Sequence, residues 1–191
     1  MRITAGALKS RPLLVPDGLN VRPTSDKVRQ AIFNVLEHRD FGQEFTIENA
    51  RVLDLFAGSG ALGIEALSRG ASYAILIDQA ALSRAALRGN VEAMGLTGRT
   101  KIWRRDACDL GRNLSEAFDL IFLDPPYRKN MLAPALASLH AGRWLQSNSI
   151  LVAESARDEN IPSTDNYALV DERLYGDTRI AFLRPSNPEE T

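Results

Sequence analysis

The stretch RVLDLFAGSGALGIEALSRG, residues 51–70, decides the fold of this chain. An apolar run of strand length passes through a glycine-rich turn into a helical pattern, and Gly58, Gly60 and Gly63 have the spacing G-x-G-x-x-G. The first two glycines let the backbone turn sharply and approach a ligand closely. This order predicts one unit of a doubly wound α/β sheet with a nucleotide site at the turn. The alternative is a tight connection that binds nothing.

Strand and helix patterns alternate along the rest of the chain, which predicts a mostly parallel sheet with helices on both faces. The later strands are expected at 73–78, 100–105, 118–123 and 149–155, and the helices at 80–95 and 131–145. Two final strands, 167–176 and 178–184, are expected to pair antiparallel because no helix separates them.

The N-terminal part differs from the rest in charge and pattern. Residues 1–39 hold seven Lys/Arg against three Asp/Glu, a surplus of four positive charges in a chain of formal net charge −1. Extended runs at 2–6 and 11–15 predict a β-hairpin, and the pattern over 22–39 predicts a helix capped by Thr24 or Ser25. The sequence therefore predicts an N-terminal extension at 1–39, an α/β domain at 40–185 and a tail at 186–191.

The composition excludes several classes of protein. With 191 residues, 45% hydrophobic and 25% charged, the chain is long enough to bury a core without disulfides. Cys108 is the only cysteine, so neither an internal disulfide nor a cysteine-based metal cluster is expected. The beginning of the chain lacks a signal-peptide pattern, and no apolar run reaches the length of a membrane span. We expect a cytoplasmic protein that binds neither a membrane nor a metal.

Three acids stand where a nucleotide would contact the predicted sheet. Asp78 follows Gly58 by twenty residues at the end of the next strand, where a carboxylate can accept hydrogen bonds from ribose hydroxyls. Asp54, just before the glycine turn, suits a ligand with an ammonium and a sulfonium better than a diphosphate, although it could instead bond amides of the turn. Asp106, after the third strand, could accept a bond from an adenine amino group or be a surface acid. A nicotinamide dinucleotide is the competing ligand.

The stretch FDLIFLDPPY, residues 118–127, predicts a buried strand that ends on a stiff turn. The Asp124 carboxylate and the Pro125 carbonyl can accept both N–H groups of an exocyclic base amine, so that its lone pair faces a methyl donor. Pro125 and Pro126 keep this pair of acceptors rigid, and Tyr127 offers a flat face for the base. The alternative is an ordinary strand end followed by a proline turn.

With these motifs the chain resembles a class I S-adenosylmethionine-dependent methyltransferase, and specifically the RsmD family, whose members methylate the exocyclic N2 of a guanine in 16S ribosomal RNA. The motifs that carry the resemblance are RITAG at 2–6, RPTSDKVRQAIFNVL at 22–36, VLDLFAGSGALGIEALSRGA at 52–71, FDLIFLDPPY at 118–127 and YGDTRIAFLR at 175–184. The RPT…VR…FN.L pattern within 22–36 and the YGDT at 175–178 single out this family, whereas the glycine turn and DPPY are shared more widely.

The resemblance implies a fold and a set of site residues. The fold is a Rossmann-like α/β domain with a seven-stranded sheet, an antiparallel last strand and a small N-terminal extension. The residues implied for S-adenosylmethionine are Asp54, Phe56, Ala57, Gly58, Ser59, Gly60, Asp78, Gln79, Asp106, Ala107 and Asp124, and those implied for catalysis are Asp124, Pro125, Pro126 and Tyr127. Asp78 stands where the resemblance implies a glutamate, and the shorter acid still reaches a ribose hydroxyl.

The resemblance also implies a partner, namely 16S ribosomal RNA within a small (30S) ribosomal subunit or an assembly intermediate. Arg22, Lys27 and Arg29 are predicted to contact RNA phosphates, with a solvated helix face as the alternative. A monomer is expected. Three rival functions remain. The first is methylation of another amine, such as adenine N6 or cytosine N4 in DNA, or protein glutamine. The second is a nicotinamide-dependent oxidoreductase, which leaves DPPY unexplained, and the third is a catalytically silent nucleotide-binding module.

Overall fold

The computed structural model describes residues 1–15, 25–41, 45–162 and 164–186. Its centre is a sheet of seven strands: β1 (Arg51–Leu55), β2 (Tyr73–Ile77), β3 (Thr100–Trp103), β4 (Phe118–Leu123), β5 (Leu145–Ala156), β6 (Tyr167–Tyr175) and β7 (Thr178–Pro185). The α-helices are α1 (Asp26–His38), α2 (Ala61–Ser68), α3 (Ala81–Ala93) and α4 (Leu132–Ala141). The elements follow the predicted alternation of strand and helix.

The strand order is β3-β2-β1-β4-β5-β7-β6. Strands β1 to β5 pair in parallel, and β7 runs antiparallel to both of its neighbours, β5 and β6. The predicted α/β fold with a seven-stranded, mostly parallel sheet and an antiparallel last strand is therefore confirmed. The strand order reverses between β1 and β4, and in open α/β sheets ligands bind at the carboxyl ends of the strands at such a point.

Apolar side chains fill both faces of the sheet. Along β4, Leu120 and Phe122 join the core on one face, whereas Phe118, Ile121 and Leu123 join the core on the other. The first core includes residues of α1, α2 and α3, and the second includes residues of α4. Strands buried on both faces read as continuous apolar runs, which explains why β1 and β4 carry no polar–apolar alternation.

In the N-terminal extension, residues 1–15 pack onto the sheet domain with little regular structure of their own, and α1 provides the helix. The predicted hairpin is reduced to one isolated antiparallel bridge between Arg2 and Pro12. The Ser25 hydroxyl caps α1 by accepting a bond from the amide of Val28 at 3.2 Å. Thr24, the other candidate cap, lies outside the described residues.

Glu65 on α2 anchors the extension. It is fully buried and accepts bonds from the amide of Thr4 at 2.8 Å, the hydroxyl of Thr4 at 2.7 Å and the amide of Ala5 at 3.0 Å. Its carboxylate also pairs with Arg29 at 3.2 Å and with Arg69 at 3.0 Å. Each oxygen of the buried charge therefore has several donors, which offsets the cost of removing it from water.

The prediction that Arg29 contacts RNA phosphates is wrong. Its side chain is fully buried and pairs with Glu65 and, at 2.8 Å, with Asp26. A guanidinium enclosed in this way has no access to a nucleic acid, and its role is to join α1 to α2. Arg22 lies outside the described residues, and Lys27 is exposed on α1.

No helix in the described part of the chain combines the length and the apolar character that crossing a membrane requires.

Candidate active site

A cavity of about 370 Å³ opens at the carboxyl ends of β1 and β4. Leu55 pairs with Leu123 across these strands, so the chain leaves both at the same level and Phe56 and Asp124 begin neighbouring turns. The predicted site residues that line the cavity are Asp54, Phe56, Ala57, Gly58, Ser59, Asp78, Gln79, Ala107, Asp124 and Pro126. The fold thus brings the glycine turn and the start of the DPPY turn to one space.

Two residues predicted for the cofactor do not line this cavity. Gly60 is buried below the turn with φ +81°, and a side chain there would come within 2.7 Å of Leu87. Asp106 is exposed, and its carboxylate accepts a bond from the amide of Cys108 at 2.8 Å. The predicted adenine contact by Asp106 therefore gains no support, and Arg105 lines the cavity beside Ala107.

Asp78 fixes the shape of the glycine turn. One carboxylate oxygen accepts a bond from the amide of Gly58 at 2.9 Å, and the other from the amide of Ala80 at 2.7 Å. The turn needs this support because Phe56 and Gly58 both have left-handed backbone conformations, with φ +63° and +57°. Such a conformation is costly for a residue with a side chain, and it concentrates at functional sites. Each carboxylate oxygen has a second lone pair, so Asp78 can still accept a ribose hydroxyl.

The sequence left two roles open for Asp54, a place beside the ligand or a bond to backbone amides, and the structure is compatible with both. It lines the cavity, and its carboxylate accepts a bond from the amide of Gly63 at 2.9 Å. Burial raises the pKa of Asp54 from 3.8 to about 7, the Gly63 bond opposes this rise, and the charge of Asp78 adds to it. Asp54 is therefore a buried acid whose negative charge is costly until a cation approaches it.

This raised pKa predicts a stability effect of Asp54→Asn. Because the folded pKa exceeds the unfolded one, the folded chain binds more protons between about pH 4 and 7, and stability falls as the pH rises through this window. Asparagine cannot ionise but retains an oxygen for the Gly63 amide. At pH 8 the free energy of unfolding of the variant should exceed that of wild type by on the order of 4 kcal/mol, at about 1.4 kcal/mol per pKa unit.

Urea denaturation of wild type and Asp54→Asn at pH 5 and pH 8 measures this effect. The two proteins should differ at pH 8 much more than at pH 5. Asp106→Asn, at an exposed acid near the same cavity, is the matched control and should behave like wild type. Equal differences between Asp54→Asn and wild type at both pH values would show that Asp54 is not the titrating group.

A second cavity, of about 390 Å³, adjoins the first. Pro125, Pro126 and Tyr127 line it, and Pro126 and Met131 line both cavities. Asp124 is half-buried on the side of the first cavity. The DPPY turn therefore forms part of the boundary between two spaces, which is the arrangement that a transfer between two bound molecules requires.

The hydroxyl of Tyr127 has partners that the sequence did not indicate. It donates to a carboxylate oxygen of Glu154 at 2.7 Å and lies 2.9 Å from the hydroxyl of Thr178. Burial raises the pKa of Tyr127, the bond to Thr178 opposes the rise, and Glu154 adds to it. The sequence suggested a role for the ring alone, because the strands that supply these partners lie far along the chain.

The N-terminal extension also contributes to the first cavity, where Met1 and Val15 form part of the wall. Asn90 on α3 holds it there: its side chain exchanges two bonds with the backbone of Leu14, at 2.7 and 2.9 Å, and donates to the carbonyl of Ser59 at 2.8 Å. A signal for this contact existed, since Asn90 interrupts the apolar stripe that Leu87 and Val91 begin on α3.

Comparisons with known proteins agree with this arrangement. A family model described as conserved hypothetical protein 95 matches residues 1–184. The chain is 33% identical over 177 residues to ribosomal RNA small subunit methyltransferase D of Escherichia coli (strain K12), covering 92% of this chain and 85% of that protein. It is 35% identical over 188 residues to the protein named "Putative rRNA methyltransferase YlbH" of Bacillus subtilis (strain 168), covering 96% and 98%.

Among solved structures, yhhF from Escherichia coli superposes with a TM-score of 0.82 at 31% identity, over 97% of this chain and 98% of that one. The similarity therefore includes the extension as well as the sheet domain, and it is not limited to the widely shared glycine turn and DPPY motif. With a family model over almost its whole length and relatives above 30% identity, the chain belongs to the RsmD family of methyltransferases.

Proposed function

We propose that this protein transfers a methyl group from S-adenosylmethionine to the exocyclic N2 of a guanine in 16S ribosomal RNA, within the small ribosomal subunit or a precursor of it. The observation that carries the proposal is the position of Asp124. It starts the DPPY turn, residues 124–127, which we call the acceptor turn, and it lines the same cavity as the glycine turn and Asp78. The name of the Escherichia coli relative, ribosomal RNA small subunit methyltransferase D, supports the substrate class.

The residues of the first cavity fit S-adenosylmethionine. Its volume of about 370 Å³ lies within the range typical of small-molecule sites. Asp78 can accept the ribose hydroxyls, Ala107 borders the place for an adenine, and Asp54 offers a buried carboxylate to the ammonium. When bound, this cofactor supplies an electrophilic methyl group on a sulfonium. A diphosphate would meet Asp54 and Asp78 as like charges, which favours this cofactor over a nicotinamide dinucleotide.

In this proposal the acceptor turn orients the amine. The Asp124 carboxylate and the Pro125 carbonyl accept its two N–H groups, which leaves the nitrogen lone pair directed toward the first cavity. The prolines fix the two acceptors before the amine arrives, so little reorganisation is needed during the reaction. No strong base is required, because the methylated amine is acidic once it has formed. Pro126 and Tyr127 border the space for the base itself.

Contact with RNA phosphates requires cations near the second cavity. Lys27 is exposed on α1, and Arg22 stays a sequence-based proposal. Arg128 and Lys129 follow the DPPY turn directly and are exposed, so we add them to the proposed RNA contacts. Arg128 also pairs with Asp158 at 3.1 Å. Because the 23 Lys and Arg residues are balanced by 24 acids, the chain has no overall cationic surplus, and a ribosomal particle should be a better substrate than naked RNA.

The test is methylation with labelled S-adenosylmethionine of 30S subunits, naked 16S ribosomal RNA, DNA and ribosomal proteins, followed by nucleoside analysis of the label. We expect N2-methylguanosine at one position, formed faster on the particle than on naked RNA. Label in adenine N6 or in protein glutamine would overturn the guanine assignment and favour the corresponding rival. Binding of a nicotinamide dinucleotide without binding of S-adenosylmethionine, measured by calorimetry, would overturn the cofactor.

A further inference from the structure

The YGDT stretch, residues 175–178, connects β6 to β7 and has no part in the function proposed so far. Gly176 makes the tight turn with φ +61°, and Thr178 begins β7. Across the sheet Thr178 pairs with Ala156, the last residue of β5. The amide of Arg157 donates to the carbonyl of Asp177 at 2.8 Å and ties the turn to the end of β5. The antiparallel pair therefore delivers a threonine hydroxyl to the carboxyl end of β5.

Two strands meet at the hydroxyl of Tyr127. Glu154 on β5 lies two residues before the end of that strand and is 4% exposed. Its carboxylate accepts a hydrogen bond from the Tyr127 hydroxyl at 2.7 Å. Thr178 on β7 lies 2.9 Å from the same phenol oxygen. Both partners belong to the sheet, and their backbones are fixed by the β5–β7 pairing. The phenol is thus bonded to a rigid frame, whereas the chain around it is a turn.

We propose that Glu154 and Thr178 are positioning residues that hold the ring of Tyr127 in the orientation needed to receive the target base. This inference rests on the proposed function, because it assumes that the base enters the cavity that Tyr127 lines. It gives the YGDT stretch a role, namely to supply the second bond to the tyrosine of DPPY. Neither residue needs to touch the substrate for this role.

The backbone that follows Tyr127 shows why such support matters. Arg128 and Asn130 both have left-handed conformations, with φ +59° and +52°, which are costly for residues with side chains. The amide of Arg128 is held by Glu159 at 2.8 Å. Stacking on a base depends on a preset ring plane, and setting that plane in advance avoids an entropy cost upon binding. The bonds of the Tyr127 hydroxyl to Glu154 and Thr178 fix the ring plane, and both partners lie on strands outside the strained turn.

The kinetic test compares Thr178→Val, which removes the hydroxyl, with Thr178→Ser, which keeps it. On 30S subunits Thr178→Val should lower kcat/KM for the RNA substrate by about fivefold to tenfold, as expected for loss of one hydrogen bond, while Thr178→Ser stays near wild type. Cofactor affinity should be unchanged in both. In a Tyr127→Phe background Thr178→Val should have no further effect. Equal kcat/KM for the valine and serine variants would overturn the proposal.

A spectroscopic test does not depend on the substrate. The chain has four tyrosines, so the fluorine NMR signal of Tyr127 in fluorotyrosine-labelled protein is assigned by its loss in Tyr127→Phe. The signal should shift or broaden in Thr178→Val and stay in place in Thr178→Ser. An unaltered signal in Thr178→Val would show that Thr178 does not hold the ring. Inactivity of wild type on all RNA substrates, with the signal responding as expected, would refute the proposed function while leaving the contact intact.

Discussion

Replacing Asp124 by alanine is expected to lower the rate of methyl transfer by about 10²–10³-fold, while the affinity for S-adenosylmethionine changes only a few fold. The loss is large because the Asp124 carboxylate accepts an N–H group of the target amine, and without it the nitrogen lone pair is no longer held facing the methyl group. Cofactor affinity should change little because Asp54, Asp78 and the glycine turn remain in place on the other side of the cavity. Single-turnover methylation of 30S subunits and calorimetry with the cofactor measure the two quantities separately.

Asp158→Ala is the matched control for this prediction. Asp158 is an exposed acid on the second cavity and pairs with Arg128 at 3.1 Å. Its loss should change the rate by less than a few fold, since exposed ion pairs contribute about 0–1 kcal/mol. A parallel loss of rate and of cofactor affinity in Asp124→Ala would show that Asp124 acts mainly by binding the cofactor and would contradict its role in holding the amine.

The largest effect on stability is expected for Glu65→Ala, which should lower the free energy of unfolding by about 3–5 kcal/mol. Removing this carboxylate leaves the buried guanidinium of Arg29 without its main counter-charge, and the amides of Thr4 and Ala5 without their acceptor. Urea denaturation measures the change. Hydrogen exchange should localise part of it, with the amides of Thr4 and Ala5 losing protection before the sheet does.

Glu37→Ala provides the comparison, because Glu37 binds Arg69 at 2.7 Å from a partly exposed position. Its loss should cost less than about 1 kcal/mol, since water can replace it. Similar losses for Glu37→Ala and Glu65→Ala would mean that burial of the ion pair does not set its contribution. Because Met1 and Val15 line the first cavity, Glu65→Ala should also weaken cofactor binding, whereas Glu37→Ala should not.

The position of the site could be predicted from sequence because it follows from topology. Strands that alternate with helices run parallel and end at one edge, so residues after two such strands share a crevice if the strands are neighbours. Asp54, Asp78 and Asp124 are therefore found at one cavity. The sequence could not specify which backbone amides Asp78 would cap, because this depends on the conformation of the glycine turn.

The error at Arg29 has a different physical origin. Counting charge over residues 1–39 ignored the face of the helix on which each cation lies. Arg29 shares its face with Ile32, Phe33 and Leu36, and all of them are buried. The helical spacing of these residues could therefore have predicted that Arg29 is buried. It could not have predicted the ion pair with Glu65, which lies 36 residues away. An arginine at a core position of a helix requires a buried acid elsewhere, and local patterns cannot locate that acid.

The contacts of Tyr127 illustrate the same limit at longer range. The sequence predicted both β5 and β7 as strands, but it did not predict that they are neighbours. The pairing of Thr178 with Ala156 brings the start of β7 next to the end of β5. Tyr127 bonds to Glu154, 27 residues along the chain, and to Thr178, 51 residues along the chain. Strand order depends on the total packing of the sheet, so side-chain contacts between distant strands become visible only once the order is known.

The anchoring of the extension by Glu65 and Asn90 has a consequence for how the protein is made. On a translating ribosome, residues 1–15 leave the exit tunnel before the side chains that bind them. Glu65, which binds Thr4, is 61 residues further along the chain, and Asn90, which binds Leu14, is 76 residues further along. Sequence-distant contacts of this kind close late, after the loop entropy has been overcome. Residues 1–15 therefore dock only after α2 and α3 have been synthesised, and the wall of the first cavity is completed only when α3 has emerged.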